Sequence, residues 1–333
     1  MKLKRIIYVA VFALFVFSVA VKAQTATKLS APHTYKNLTV YLIHGKDTIK
    51  NKNILTLQEA MAKDLIIVYE TGDVNKLAVE NLSSKFEVFI QSGDIVKGGK
   101  QDRVLAIDII LPVKSGKVFI AAFCVESGRW TKRKNEDVSK FGSSDERIVT
   151  RELKIAANLS LSQGEVWDKV GEAQKKLSAN VGEKVNAAAS ATSLQLSLEN
   201  GKVAANADEY VKKLAAIVNG KSDVIGYAFV INGEINSAEI YASNHLFKKL
   251  WPKLLKATAV EAVAELDPKK KPKEVKADAV QGFLDEAELG EAKQENVNSR
   301  NKRVVRAQKN VALIESHDDK EKVVLHKSIV KTQ

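Results

Sequence analysis

The residues in this chain with the means to do covalent or acid–base chemistry gather around one short stretch, Cys124-Val125-Glu126-Ser127-Gly128-Arg129-Trp130. Cys124 is the only cysteine, and a thiolate nucleophile wants a neighbouring base. Its sequence neighbours are apolar, a setting in which cysteine behaves as a small hydrophobe with a raised pKa. The histidines are His33, His44, His245, His317 and His326; His326 alone stands on a credible strand, where a structural role is the commoner one. Glu70 and Glu126 would form a carboxylate pair for acid and base work, given a separation that sequence does not fix. Arg103 and Arg129 are candidate anion holders. Arg129 with Trp130 would stack a sugar or a ring, or cover the edge of a core. Zinc-ligand spacing, a phosphate loop and a nucleophile elbow are all missing, so the sequence calls for no metal and no cofactor.

The elements that must position these residues start at Gly98. In the run to Trp130, Leu105, Ile107, Ile109 and Leu111 share one strand face, with Asp108 on the other, and 112–117 supplies a turn. The returning strand, VFIAAFCVE, is apolar on both faces, and Ser127-Gly128 ends it. A turn centred near Lys114-Ser115 sets Leu105 by Cys124, Ile107 by Ala122 and Arg103 by Glu126 on one buried face.

Around this hairpin the reading is of an α+β fold. Residues 37–44 alternate as a strand. Thr56 and Glu59 have capping-box spacing for a helix over 57–63. Strands at 65–70 and 74–80 flank a turn at 71–73, and a helix at 208–218 precedes strands at 224–231 and 235–241. Helix, strand, glycine turn and strand thus occur twice, and GDVNKLAV lines up with GEINSAEI, which raises an internal duplication. Ser162 opens an amphipathic helix marked by Val166, Val170, Ala173 and Leu177, with Trp167 beside that face. Helix or loop follows it, and an apolar helix spans 246–266 with Pro252 in its first turn or at a kink. The run 267–273 reads as a linker, Val280, Leu284 and Ala287 as a helix face, and 304–315 and 323–330 as strands around a turn at 316–320. The expectation is a mainly antiparallel sheet core of hairpins with several packed helices. It forms a single domain over 36–333, after a flexible lead at 24–35.

Composition bounds the setting. With 45% hydrophobic and 28% charged residues among 333, the chain is globular in type. Lys2, Lys4 and Arg5, an apolar run over 6–21 and Val21-Lys22-Ala23 have the three-part layout of a secretory signal cut after Ala23. The apolar run falls short of the roughly twenty residues of a spanning helix, with an uncleaved anchor as the alternative. A periplasmic or secreted protein follows, not membrane-embedded once the signal is removed. Taking the four basic residues of 1–23 from 52 leaves 48 against 40 acidic, a net +8, an excess that serves mostly for solubility. One cysteine allows no internal disulfide, and nucleic acid is a poor partner outside the cytoplasm.

GDVN with LAVEN, the spaced GGKQDR, and CVESGRW, in that order and at those spacings, resemble the ARG and rhodanese-phosphatase-superfamily-associated protein domain, an uncharacterised bacterial family. GEVW, LFKKLWPKLL and the closing VVLHKSIV carry the resemblance over nearly all of the mature chain. One departure is ENVNSRNKRVVR, where the family often has more glycine. The resemblance places weight on Glu70, Asn75, Asn81, Gly99, Gln101, Arg103, Cys124, Glu126, Arg129 and Trp130. Its name records gene association and implies no phosphatase activity. Two function classes stay open. One is an exported binding or interaction module whose polar corner recognises a ligand or protein partner, or locks the fold. The other is a hydrolase of an anionic or glycan substrate using Glu126 or Cys124, with Arg103 and Arg129 holding the anion. A deep pocket lined by Glu70, Glu126, Arg103 and Arg129 would mark the second.

Overall fold

The structure, a computed structural model, describes residues 27–49, 53–270 and 273–333. The signal segment at 1–23 lies outside the described residues, as does part of the 267–273 linker. Leu38–His44 shows how the main sheet is built. Leu38, Val40 and Leu42 enter one core while Tyr41 and Ile43 enter another. A strand apolar on both faces needs cover on both sides. The sheet around it has nine strands, all antiparallel. From one edge the order is Lys28–Leu29, Leu38–His44, Val224–Ile231, Glu234–Tyr241, Val323–Lys331, Val311–Asp318, Asn301–Ala307 and Ala292–Asn296, with His33–Tyr35 also on Leu38–His44. Residues 28–29 and 33–35, expected in a flexible lead, are therefore paired strands.

Helices Gln163–Val181, Gly201–Leu214 and Asn244–Ala264 feed the first core, each held at its start by a side-chain cap from Ser162, Asn200 or Ser243. Helix Ala277–Glu288 covers the other face through Val280, Phe283, Leu284 and Ala287. The Ser243 cap starts the long helix early enough to put Pro252 in its interior instead of its first turn. One backbone donor is lost there, and packing by Leu250, Trp251, Leu254 and Leu255 carries the helix through.

A six-stranded antiparallel sheet runs Phe141–Gly142, Ile95–Gly98, Arg103–Leu105, Gly116–Cys124, Lys76–Asn81 and Ile66–Asp73. A three-stranded sheet places Glu87–Ile90 between Ile109–Leu111 and, in parallel, Ile54–Thr56. The expected capping box on Leu57–Met61 is complete, with Thr56 and Glu59 bonded reciprocally. Ile95, Val104 and Phe123 share the first core with residues of the nine-stranded sheet.

Three expectations are corrected. The strand read through 105–111 is two strands in two sheets, and the chain changes sheet over 106–108 because Asp108 turns into a buried polar centre instead of facing outward. Arg103 consequently faces Cys124, Val104 faces Phe123 and Leu105 faces Ala122, two residues from the expected pairing. An even shift keeps the apolar face while changing every partner. The strand read over 304–315 is a hairpin bent at 308–310, where Gln308 N–H bonds the Val311 carbonyl at 2.8 Å.

Candidate functional site

The corner around Glu126 forms where strand Gly116–Cys124 runs on to Arg129 beside the turn 98–102. Gly99 shapes that turn with a φ of 56° and the Phe141 ring 2.4 Å from where a Cβ would stand, so a side chain there is strained and obstructed. Glu126 is fully buried. Arg129 Nε and Nη2 bond its two oxygens at 2.7 Å each, and Asp102 N–H adds a third bond at 3.1 Å. The Glu126 carbonyl accepts from Gln101 Nε2 at 2.9 Å and Trp167 Nε1 at 3.2 Å.

A guanidinium has five N–H donors, and Arg129 uses all of them inside the protein. Beyond Glu126 they reach the carbonyls of Gly98, Gly99 and Thr131. Arg133 is equally committed, to Asp102, Glu136 and Ser193. Asp102 also accepts from Ser193 Oγ at 2.8 Å and Gly98 N–H at 3.0 Å. Burial alone would push the Glu126 carboxyl up; the Arg129 fork outweighs it and holds the group below its ordinary value. Burial likewise disfavours the Arg133 charge, and Asp102 and Glu136 more than restore it. Three carboxylates and two guanidiniums thus form a closed network, in which burial still leaves the Asp102 carboxyl above its ordinary value against the pull of Arg133. The adjoining cleft, about 540 Å³, is lined by Arg129, Thr131, Lys132, Arg133, Ser190 and Thr192, with both guanidiniums already engaged.

Arg103 is different. Its side chain is fully buried, yet among the described residues it makes two long hydrogen bonds, Nη1 to the Gln101 carbonyl at 3.2 Å and Nη2 to Glu70 Oε2 at 3.4 Å, and its Nε has no partner. The Trp130 ring centroid lies 5.9 Å from the guanidinium carbon and 4.9 Å from Lys100 Nζ. Glu70 is held independently by the N–H groups of Thr71, Gly72 and Lys100 at 2.9–3.2 Å. Arg103 therefore bonds Glu70, not Glu126 as expected from the sequence, and the two carboxylates of the supposed pair engage different arginines.

Cys124 stands across the strands from Arg103. Burial pushes its thiol up to about 11, with Arg103 pulling the other way. Its backbone is gripped by Gln163, which accepts from the N–H at 2.8 Å and donates to the carbonyl at 2.9 Å. Asn81 is buried, its amide bonded to the Phe86 and Pro112 carbonyls at 2.8 Å each. Asn75 is exposed at the hairpin turn, where its N–H bonds Asp73 and its carbonyl accepts from Ala122 N–H at 3.1 Å. So the fold gathers Gln101, Glu126 and Arg129 into one network and Glu70, Arg103, Cys124 and Trp130 beside it.

Sequence reasoning missed Asp102, Arg133 and Ser193, and a separate buried centre. His326 Nδ1 lies 2.8 Å from Asp108 Oδ2 and its Nε2 2.8 Å from Glu239 Oε2. Tyr241 stacks on the imidazole with 4.4 Å between centroids. Ser316 Oγ and Ser92 N–H complete Asp108. Burial pushes the imidazole down, but the flanking carboxylates overcome this and raise it to about 9. Both ring nitrogens then donate, leaving no lone pair for a base or a metal. One signal was present, an aspartate within the apolar run AIDIIL; its side-chain partners His326 and Ser316 lie 218 and 208 residues away.

Among the described residues no group of three or more His, Cys, Asp and Glu could hold a metal ion, and no helix is long and apolar enough to cross a membrane. A family model, described as the ARG and Rhodanese-Phosphatase-superfamily-associated Protein domain, matches residues 26–332. No curated protein and no solved structure matches the chain.

Proposed function

The chain belongs to the ARG and Rhodanese-Phosphatase-superfamily-associated Protein domain family, and within that family we propose that it is an exported binding module, receiving a ligand or protein partner on the loop over 127–140 around Trp130. The observation that carries this reading is the contrast across one corner. Glu126 is buried and held ionised, and Arg129 and Arg133 have every donor engaged internally, whereas Trp130 stands 45% exposed above cationic groups. A saturated, ionised carboxylate has no proton to give and no surface to offer substrate. A half-exposed indole beside cations is suited to recognition, where aromatic rings carry much of the contact energy. Export rests on the signal layout of residues 1–23.

A thermal-shift ligand screen on the chain starting at Gln24 tests this reading, run beside Trp130→Ala. Hits should raise the melting temperature of the wild type and lose that effect in the variant, whose own melting point stays near wild type. Hits that stabilise both proteins equally would overturn the assignment of the loop. Turnover of any hit by wild type that is lost in Glu126→Gln would return the protein to the enzymes.

A further inference from the structure

Arg103 is the one arginine of this corner whose hydrogen bonding is left incomplete. Arg129 and Arg133, in the same corner, each place all five donors. Arg103 places two, both longer than 3.1 Å, although it is the largest fully buried side chain among the described residues. A buried donor without a partner is costly, and native structures rarely keep one without a reason. The edge left open is informative. Nε and Nη2 lie side by side on the guanidinium and form the fork that a carboxylate or phosphate takes with two parallel bonds. Nε carries nothing and Nη2 carries only the 3.4 Å contact to Glu70.

Glu70 is not positioned to fill that fork. Its oxygens are drawn to the backbone donors of Thr71, Gly72 and Lys100, all at shorter distances than its contact with Arg103. Over the guanidinium lies the indole of Trp130, its centroid 5.9 Å from the guanidinium carbon, itself half in solvent and approached by a second cation, Lys100. Trp130 belongs to a segment without strand or helix from Ser127 to Ser139, which rejoins the sheet through the bridge between Lys140 and Tyr69.

From this we infer that Arg103 and Lys100 form an oxyanion site covered by Trp130, taking the carboxylate or phosphate end of a ligand when the indole swings aside. The inference rests on the binding reading above and gives its ligand an acidic terminus. The anion enters the Nε–Nη2 fork, Lys100 supplies a second charge, and the displaced indole lies against the remainder of the ligand. Cys124, across the strands from Arg103, takes no part in the recognition.

The test is a titration of the chain from Gln24 with sodium phosphate, and separately with sodium acetate, against sodium chloride at matched ionic strength. Tryptophan fluorescence and melting temperature are the readouts. The expected result is a saturable fluorescence change with phosphate, acetate or both that chloride does not produce, and that Trp130→Phe abolishes. The anion that acts alone names the source as phosphate or carboxylate. Lys100→Gln should weaken the apparent affinity by about tenfold, as expected for a charged hydrogen bond. Arg103→Gln risks the fold, so the surface variant Lys100→Gln carries the decision. Anion curves indistinguishable from chloride in both readouts, or identical curves for Lys100→Gln and wild type, would overturn the site. If the anions fail while Trp130→Ala still abolishes the effect of a screened ligand, the oxyanion site falls and the binding loop stands. If that variant leaves the screened ligand's effect intact, the loop assignment itself falls.

Discussion

His326 and Asp108 meet at 2.8 Å across 218 residues of chain. Asp108 sits where the chain leaves the six-stranded sheet for the three-stranded one, and His326 lies on Val323–Lys331 of the nine-stranded sheet. The contact therefore ties the small sheet to the large one through a charge pair, and Glu239 on the imidazole's other nitrogen makes the bond a bridge.

Stability should fall on the alkaline side because of this bridge. The imidazole's pKa is raised from 6.5 to about 9 in the folded chain, so its contribution is complete below pH 6.5 and is lost as pH rises through 9. At about 1.4 kcal/mol per unit this amounts to about 3 kcal/mol. Asp108 and Glu239, held below their ordinary values by His326 against the opposing effect of burial, add a loss at the acid end as pH falls through their folded-state values. Urea melts of wild type and His326→Gln between pH 6 and 9.5 check this. The wild-type curve should slope downward and the variant's should be flatter; parallel curves would remove His326 as the cause.

Glu126→Ala should destabilise by about 3–5 kcal/mol, the usual cost of stranding one member of a buried ion pair. The stranded partner is Arg129, whose Nε and Nη2 lose their acceptors, and not Arg103. A double-mutant cycle separates the two arginines: Glu126→Ala should couple to Arg129→Ala by about 1–3 kcal/mol and show little coupling to Arg103→Gln. A variant melting with wild type would free Glu126 from the fold and reopen a chemical role.

The parts of the architecture legible in the sequence are those fixed by neighbours. The Thr56–Glu59 capping box spans one helical turn, and Val224–Ile231 is a run bounded by its own turn, so local pattern sufficed for both. Glu70, Arg103, Glu126 and Arg129 stood out by residue type, but which pairs with which did not, because the strand break at 106–108 is caused by Asp108 reaching His326 and Ser316 from remote segments. Register inferred from a turn fails once the strand it assumes is divided between sheets. Arg133 was overlooked for a related reason. It lies in a lysine-rich irregular loop that reads as solvent-exposed, and only the fold carries it onto Asp102.

Cys124 should be alkylated slowly in the native protein. Its thiol is buried and raised to about 11, so both access and thiolate fraction are low at neutral pH. Iodoacetamide labelling at pH 7.5, native against denatured in urea, checks this by mass spectrometry. A native rate matching the denatured one would show the thiol open to solvent.

Removal of residues 301–333 should prevent the rest from folding, in keeping with a single cooperative unit. The closing strands do more than extend an edge. Asn301 bonds both the N–H and the carbonyl of Ile110, at 2.8 and 3.2 Å, and so stands in for a neighbouring strand beside Ile109–Leu111. Arg300, just ahead of them, bonds Glu87 in the same small sheet and is itself held by Asp318 of the closing strands. Ser316 and His326 hold Asp108. Without these strands a run of buried backbone and carboxylate groups loses its partners, and Ile329, Leu313 and Val311 no longer cover helix Ala277–Glu288. Because insolubility alone is a blunt readout, Asn301→Leu gives the finer measure. It retains bulk while leaving two Ile110 groups unbonded, for an expected loss of about 1–3 kcal/mol. Exchange of the Ile110 amide proton should accelerate in step with that loss. A shortened chain that stays soluble, monomeric and cooperatively folded would make the closing strands an appendage, and an unchanged Ile110 exchange rate in Asn301→Leu would show that the side-chain bridge does not hold the two sheets together.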